Sequence, residues 1–320
     1  MDPLTTPWSA TMALDAPIVN APMGGAAGGA LAAAVSRAGG LGMIGSGSAG
    51  SGALLQGQLA HTADLVQPFG IGLVDWVMRQ DPTLLTVALD ARPALLCVSF
   101  GDDWSWVQPA RDAGCVTATQ VADLGAARDA ADAGVQVLVA RGAEAGGHGR
   151  PSIATLPLLA EILDHVSVPV LAAGGIASGR ALAAVLAAGA AGAWIGTAFA
   201  PCTESLLAAP ARDAMLAARA EDTMTTRAFD VALGYPWPDT LPERVLRNAF
   251  TDAWDGREDR LGADARETLR RAIAEDDVSM APVNAGQGVG DVTASEPAAE
   301  VIRRLCADAR AALAHVHPGS

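Results

Sequence analysis

A single histidine sits among glycines directly after an apolar run in VARGAEAGGHGR, Val139 to Arg150. An imidazole titrates at about 6.5 when unperturbed, so at a reactive centre it can take or give a proton near neutrality. Of the five histidines, His61 falls in a predicted helix, His165 at a helix end, and His315 and His317 in the tail. Only His148 follows a predicted strand, and this makes it the candidate general base. The glycines beside it let a planar ligand approach the backbone closely. Glu144 is either a second acid–base group or, as the favoured reading, a side chain that turns away to accept from backbone N–H groups of the loop.

Two further stretches carry binding chemistry. Gly174 and Gly175 lie between a predicted strand and helix, and so do Gly196 and Thr197. Glycines there expose backbone N–H groups, and a helix N-terminus favours an anion. The expected ligand is a phosphorylated cofactor or substrate. Plain strand-to-helix turns would look the same one at a time; two such loops in succession favour the phosphate site.

The elements that must position these residues alternate. Eight apolar runs are separated by alanine-rich helical stretches: 17–23, 41–47, 68–74, 94–101, 115–121, 135–142, 168–175 and 191–199. Strands alternating with helices predict a parallel sheet, and eight units predict a (β/α)8 TIM barrel rather than the competing doubly wound open sheet. Its active site belongs at the C-terminal ends of the strands. The barrel is expected over residues 1–200, completed by a closing helix within 288–320, with a helical insertion domain at 201–287 near the C-terminus. In that insertion ESLLAAPARDAMLAARA, PERVLRNAFTDAW and DARETLRRAIAEDD read as helices. The uncharged run from Ala181 to Thr203 reads as a helix followed by a strand, since its glycines interrupt any membrane span. The final HPGS reads as frayed.

Composition excludes several functions. A net charge of -14 argues against nucleic acid as a partner, and no basic run suggests a membrane surface. All 21 basic residues are arginine, so neither a Schiff-base lysine nor a P-loop lysine is available. The four cysteines are scattered, with no C-x-x-C pair, so no metal site or disulfide framework is expected. No signal peptide is apparent, and a reduced, cytoplasmic protein is expected.

The stretches APMGGAAGGALAAAVSRAGGLGMIGSG, ARGAEAGGHG, VPVLAAGGIASGRALAAVLAAGAAGAWIGTAF and VNAGQGVGDV together resemble the nitronate monooxygenase family. The resemblance runs from about Pro17 to the final helix. FMN-dependent enoyl-acyl-carrier-protein reductases and some flavin quinone reductases share much of the signature. It implies an FMN-binding barrel with a helical substrate domain. In that reading Gly174, Gly175, Gly196 and Thr197 hold the phosphate, with Trp194 and Ile195 beside them. The flavin ring rests against Ala21, Pro22, Met23 and Gly24 and against Gly146 and Gly147. Gln120 points towards the flavin, and His148 matches the catalytic histidine. Two positions depart from the family: Gly72 stands where asparagine is common, and Arg141 where glutamine is common. Both remain candidate cofactor-binding positions. Arg141 supplies a cation near the flavin pyrimidine or a phosphate, or points elsewhere.

The implied reaction is oxidative denitrification of an alkyl nitronate or nitroalkane with O2, giving a carbonyl compound and nitrite. The partners are then small molecules, and a homodimer is compatible with them. The alternative is an NAD(P)H-dependent FMN reductase of an enoyl thioester or quinone. A third reading is a flavin- or phosphate-binding protein without catalysis. Trp76 and Trp104 either wall an apolar pocket or pack beneath the loops.

Overall fold

The computed structural model describes residues 2–316. Tail residues His317 to Ser320 lie outside the described residues, so the expected fraying falls there too. Among the described residues eleven strands occur in chain order. They are β1 (Ile18–Asn20), β2 (Gly42–Gly45), β3 (Phe69–Val74), β4 (Leu95–Ser99), β5 (Val116–Val121) and β6 (Val137–Arg141). They continue with β7 (Gly147–His148), β8 (Val170–Ala173), β9 (Gly192–Ile195), β10 (Thr223–Thr226) and β11 (Glu243–Leu246).

Eight of them form one parallel sheet in the order β1-β9-β8-β6-β5-β4-β3-β2. A bridge between Val19 and Leu41 joins its two ends, so the sheet closes into the expected barrel. Strands buried on both faces need apolar residues at every position, and β4, β6 and β8 are buried throughout. Alternate residues then point to opposite faces. Val19, Met43, Leu95, Cys97, Ala118, Val137, Val139, Leu171, Ala173 and Trp194 share the interior cluster, which Trp8 joins from the N-terminal segment. Their neighbours Ile18, Leu96, Leu138, Ala172 and Ile195 pack in the larger cluster with the helices. Helices between the strands start at side-chain caps: Ser51 accepts from the Leu54 N–H, Asp123 from Ala126 and Ser178 from Ala181. The run 181–203 is a helix and a strand, as expected, and no described helix is long and apolar enough to cross a membrane.

The seam between β1 and β2 depends on one side chain. Asn20 is fully buried; its amide accepts from the Met43 N–H at 2.8 Å and donates to the Met43 carbonyl at 3.0 Å. It replaces ladder bonds where the short β1 has no backbone partner. Asn20→Ala leaves both Met43 groups without partners, which costs about 2–4 kcal/mol. Urea unfolding measures that loss, and an unchanged stability would contradict the role given to Asn20.

The segment 201–287 differs from the expected helices. Helices occur at Ala209–Ala217 and Ala263–Ala274, but PERVLRNAFTDAW divides into β11 and the helix Ala249–Trp254. Asn248 makes the division, since its carboxamide caps that helix by accepting from Phe250 and Thr251. β10 and β11 pair antiparallel, and β11 also pairs with β7, which belongs to the loop after β6. The last helix, Ala298–Val316, packs against the Gly179–Ala187 helix of the barrel.

Candidate active site

The mouth of the barrel opens into a cavity of about 590 Å³. Strand alternation decides which side chains reach it. β6 turns Val137 and Val139 into the barrel, and the same face at its C-terminal end carries Arg141. Gln120 and Trp194 reach the mouth in the same way. Ala21, Pro22, Met23, Gly24, Gly146, Gly147, His148, Gly174, Gly175, Gly196 and Thr197 line the cavity as well.

Two expected positions do not line it. Ile195 points outward into the helix layer because it alternates with Trp194. Gly72 faces inward, but the Pro22 ring covers it so closely that any side chain there would collide. That contact explains why asparagine is not accommodated at position 72. Trp76 and Trp104 also do not line the cavity. They pack against the core, so of the two readings for these tryptophans core packing holds.

The anion loops have a definite polar state. Among the described residues, the backbone N–H groups of Gly175, Gly196 and Thr197 donate to no protein acceptor, whereas the Ala173–Trp194 register of β8 and β9 turns the Gly174 N–H to the Trp194 carbonyl. Backbone donors left without partners at a half-buried position call for a ligand or water. Gly174 (φ 121°) and Gly175 (φ 67°) take conformations that side-chain-bearing residues rarely adopt. The Thr197 hydroxyl accepts from the Gly286 N–H at 2.9 Å, which draws the VNAGQGVGDV loop over the site.

Arg141 does not point into open space. Its Nη2 donates to the carbonyls of Ala145, Gly146 and Gly147, at 3.3, 3.0 and 2.9 Å. Burial, reinforced by the charge of Arg244, lowers its guanidinium to about 10. The arginine therefore braces the glycine loop before His148 from below. Glu144 turns away from the cavity: its carboxylate accepts from the Thr155 N–H at 3.0 Å and from the Thr155 hydroxyl at 2.8 Å.

His148 is held by groups that the sequence did not single out. Its Nε2 lies 2.9 and 3.1 Å from the two carboxylate oxygens of Asp230, a residue 82 positions away. A carboxylate accepts, so this contact assigns the proton to Nε2 and leaves the lone pair on Nδ1. The imidazole stacks on Trp237, with centroids 3.7 Å apart and planes 8° from parallel. Trp237 is pinned in turn by its Nε1–H, which donates to the Ser48 hydroxyl at 3.0 Å. The aromatic wall is thus Trp237 with Phe100 and Tyr235, not Trp104.

Glu243 completes the cluster. It pairs with His148 across β11 and β7 and lines the same cavity. Burial first, and then the charge of Asp230, push its carboxyl well above the usual carboxylate range. The fold therefore binds a proton that the unfolded chain releases. The associated stability is lost as pH rises past the ordinary carboxylate range. Glu243→Gln removes this dependence, and as pH rises from the ordinary carboxylate range melting temperatures should fall less steeply for the variant than for the parent.

The nearest linear signals for these residues were weak. Asp230 and Trp237 stand in RAFDVALGYPWPD, where nothing in the spacing ties them to His148. The Asn248 cap was a readable signal for ending a strand before it, and it would have exposed β11.

A closed (β/α)8 barrel, with its polar cluster and unbonded loop amides gathered at the C-terminal mouth, defines an enzyme of the barrel class. Residues 74–308 match the family model described as nitronate monooxygenase. The chain belongs to the nitronate monooxygenase family and is an oxidoreductase. A nitronate monooxygenase of Pseudomonas aeruginosa is 32% identical over 96% of this chain and 100% of its own length. Two other curated relatives are matched over 66% and 58% of their own lengths. Among solved structures, FabK from Thermotoga maritima has a TM-score of 0.85 at 29% identity, covering 98% of both chains. The nitroalkane oxidase from Streptomyces ansochromogenes has a TM-score of 0.83 at 29% identity, covering 96% of this chain and 99% of its own.

Proposed function

We propose that this protein is an FMN-dependent enzyme that oxidises alkyl nitronates or nitroalkanes with O2, releasing a carbonyl compound and nitrite. The observation that carries the reading is His148, which lines the cavity with its Nε2 committed to Asp230, so that Nδ1 is the nitrogen left basic. The donor set fits FMN. The unpartnered amides of Gly175, Gly196 and Thr197, beside Gly174, suit its phosphate. The small loops of Ala21 to Gly24 and of Gly146 and Gly147 leave clearance for its ring. Bound FMN would supply electron acceptance from the nitronate and the reactivity towards O2.

The residues of the chain do the rest. His148 removes the α-proton of a neutral nitroalkane through Nδ1. Asp230 keeps the imidazole in the correct tautomer and stabilises the imidazolium that forms. Trp237 lies flat on the ring, fixes its plane and excludes water from that face. Arg141 holds the Gly146–Gly147 carbonyls so that the loop carrying His148 keeps its shape. Gln120 projects into the mouth from β5 beside the cofactor position.

The absorbance spectrum of the purified protein is the first test, since a colourless protein that does not take up FMN would defeat the reading. Nitrite release from a nitronate in air, without anaerobic bleaching by NADH or NADPH, is the expected result. A second reading, an NAD(P)H-dependent FMN reductase of an enoyl thioester or quinone, draws on the same cavity, because its polar cluster suits a carbonyl oxygen equally. Prompt anaerobic bleaching by NADH or NADPH would support that reading instead.

A further inference from the structure

We propose that Glu243 acts as a neutral carboxylic acid that donates a hydrogen bond to the oxygen on which the substrate develops negative charge, opposite the base His148. The proposal rests on the cavity being the substrate site. It names a class of substrate, a carbon acid whose α-proton loss places charge on a nitro or carbonyl oxygen.

Three observations carry it. Glu243 is 4% exposed, and the little surface it has lines the cavity. Among the described residues, no protein N–H or O–H donates to its carboxyl, so nothing in the fold compensates an ionised form there. Its carboxyl oxygen, a ring nitrogen of His148 and a carboxylate oxygen of Asp230 all lie within 4.8 Å of one another. Two carboxyls so close and so buried cannot both ionise, and Asp230 has the imidazole as its partner. Glu243 is the one that keeps a proton.

The charged and titratable surroundings agree. Asp230 faces Glu243 from the Ala228–Leu233 helix and His148 from β7, while β10 offers only Thr226 opposite it. Arg244, next along β11, is engaged elsewhere, donating to the Ala143 carbonyl and the Thr223 hydroxyl. Arg227 is paired with Asp239. Tyr235 and Asp276 line the same cavity. Arg141 lines the cavity too, but its Nη2 is spent on the Ala145, Gly146 and Gly147 carbonyls, so among the described residues no cation is paired with Glu243. A carboxylic acid kept neutral by an apolar site is a strong donor to an oxyanion, and such donors act where charge develops rather than where it already lies.

In the reaction the substrate C–H bond breaks and its proton passes to Nδ1 of His148. The electron pair moves on to the nitro or carbonyl oxygen, and the Glu243 O–H strengthens its hydrogen bond to that oxygen without giving up the proton.

Propionate tests this without turnover, because a carboxylate matches a nitronate in shape and charge. Its affinity for the flavin-loaded protein is measured by calorimetry from pH 6 to 9, for the parent, Glu243→Gln and Glu243→Ala. The parent is expected to bind, with Kd rising about tenfold per pH unit once Glu243 ionises. Glu243→Gln keeps an N–H donor that does not ionise, so this added slope disappears while affinity at pH 7 stays within about threefold. Glu243→Ala weakens binding at pH 7 by about tenfold or more. His148 is common to all three proteins, so the difference in slope belongs to Glu243. Retained cofactor absorbance checks that each variant is folded. The assignment is overturned by any of four results: no saturable binding by the parent, equal slopes for parent and Glu243→Gln, full affinity in Glu243→Ala, or binding that EDTA abolishes and a divalent cation restores. If the pattern appears but no nitronate yields nitrite, the donor stands and the proposed reaction falls.

Discussion

His148→Asn lowers turnover of a neutral nitroalkane by about 10²–10⁴-fold, the range that loss of a positioned general base produces. The same variant should lose no more than about tenfold on the preformed nitronate, because that substrate has already given up its α-proton. The contrast follows from the site: the imidazole is fixed by Asp230 and Trp237 with Nε2 engaged, so its one chemical asset is the lone pair left on Nδ1. Asparagine keeps a polar side chain of similar reach but cannot accept a proton at neutral pH. Nitrite release, assayed in parallel on nitroethane and its nitronate, measures both numbers. Equal losses on the two substrates would mean that His148 binds rather than deprotonates. No loss on either would remove it from the reaction.

Asp230→Asn has an expected effect of similar size, about 10²–10⁴-fold on the neutral substrate, although Asp230 is one residue removed from the reacting atoms. The carboxylate accepts from Nε2–H and thereby leaves Nδ1 basic. An asparagine can present its N–H₂ to Nε2 instead, which moves the proton to Nδ1 and points a donor at the substrate carbon. It also removes the charge that stabilises the imidazolium. The geometry survives while the chemistry is reversed, so cofactor content and melting temperature should change little. The histidine ¹⁵N shifts report the tautomer directly, and a variant that keeps the parent tautomer with full activity would show that Asp230 serves packing alone. The two substitutions act on one unit, so the double variant should be little worse than His148→Asn alone.

The barrel was legible because its signal is repetitive. Runs such as VQVLVARG and VPVLAAGG are mostly apolar without alternation, since both faces of a parallel barrel strand are covered, and each is followed by a helix. Position in the fold then followed from order along the chain. His148 was placed at the mouth by coming after the sixth run, and the Gly174–Gly175 and Gly196–Thr197 pairs by lying at the C-terminal ends of the seventh and eighth. The turning away of Glu144 was also readable, because a carboxylate beside a helix start has backbone and hydroxyl donors at hand.

The insertion was not legible in the same way. PERVLRNAFTDAW has helical spacing of its apolar residues, yet its first half is β11, because pairing with β10 and β7 outweighs local preference. Strand β7 has only two residues, Gly147 and His148, and exists because β11 lies alongside it. A strand that depends on a partner nearly a hundred residues later leaves no local periodicity to read.

What the sequence determined by itself is the set of parts: a parallel eightfold barrel, glycine loops with free amides, and one histidine at the mouth. Those follow from local patterns and from chain order, which a linear reading contains. The tertiary structure alone decided what the histidine is. It brought Asp230 to Nε2, laid Trp237 on the ring, set Arg141 under the glycine loop and buried Glu243 beside them without a partner. Those contacts arise from the packing of the insertion against the barrel. The proton positions they impose depend on distances and burial that sequence spacing does not encode.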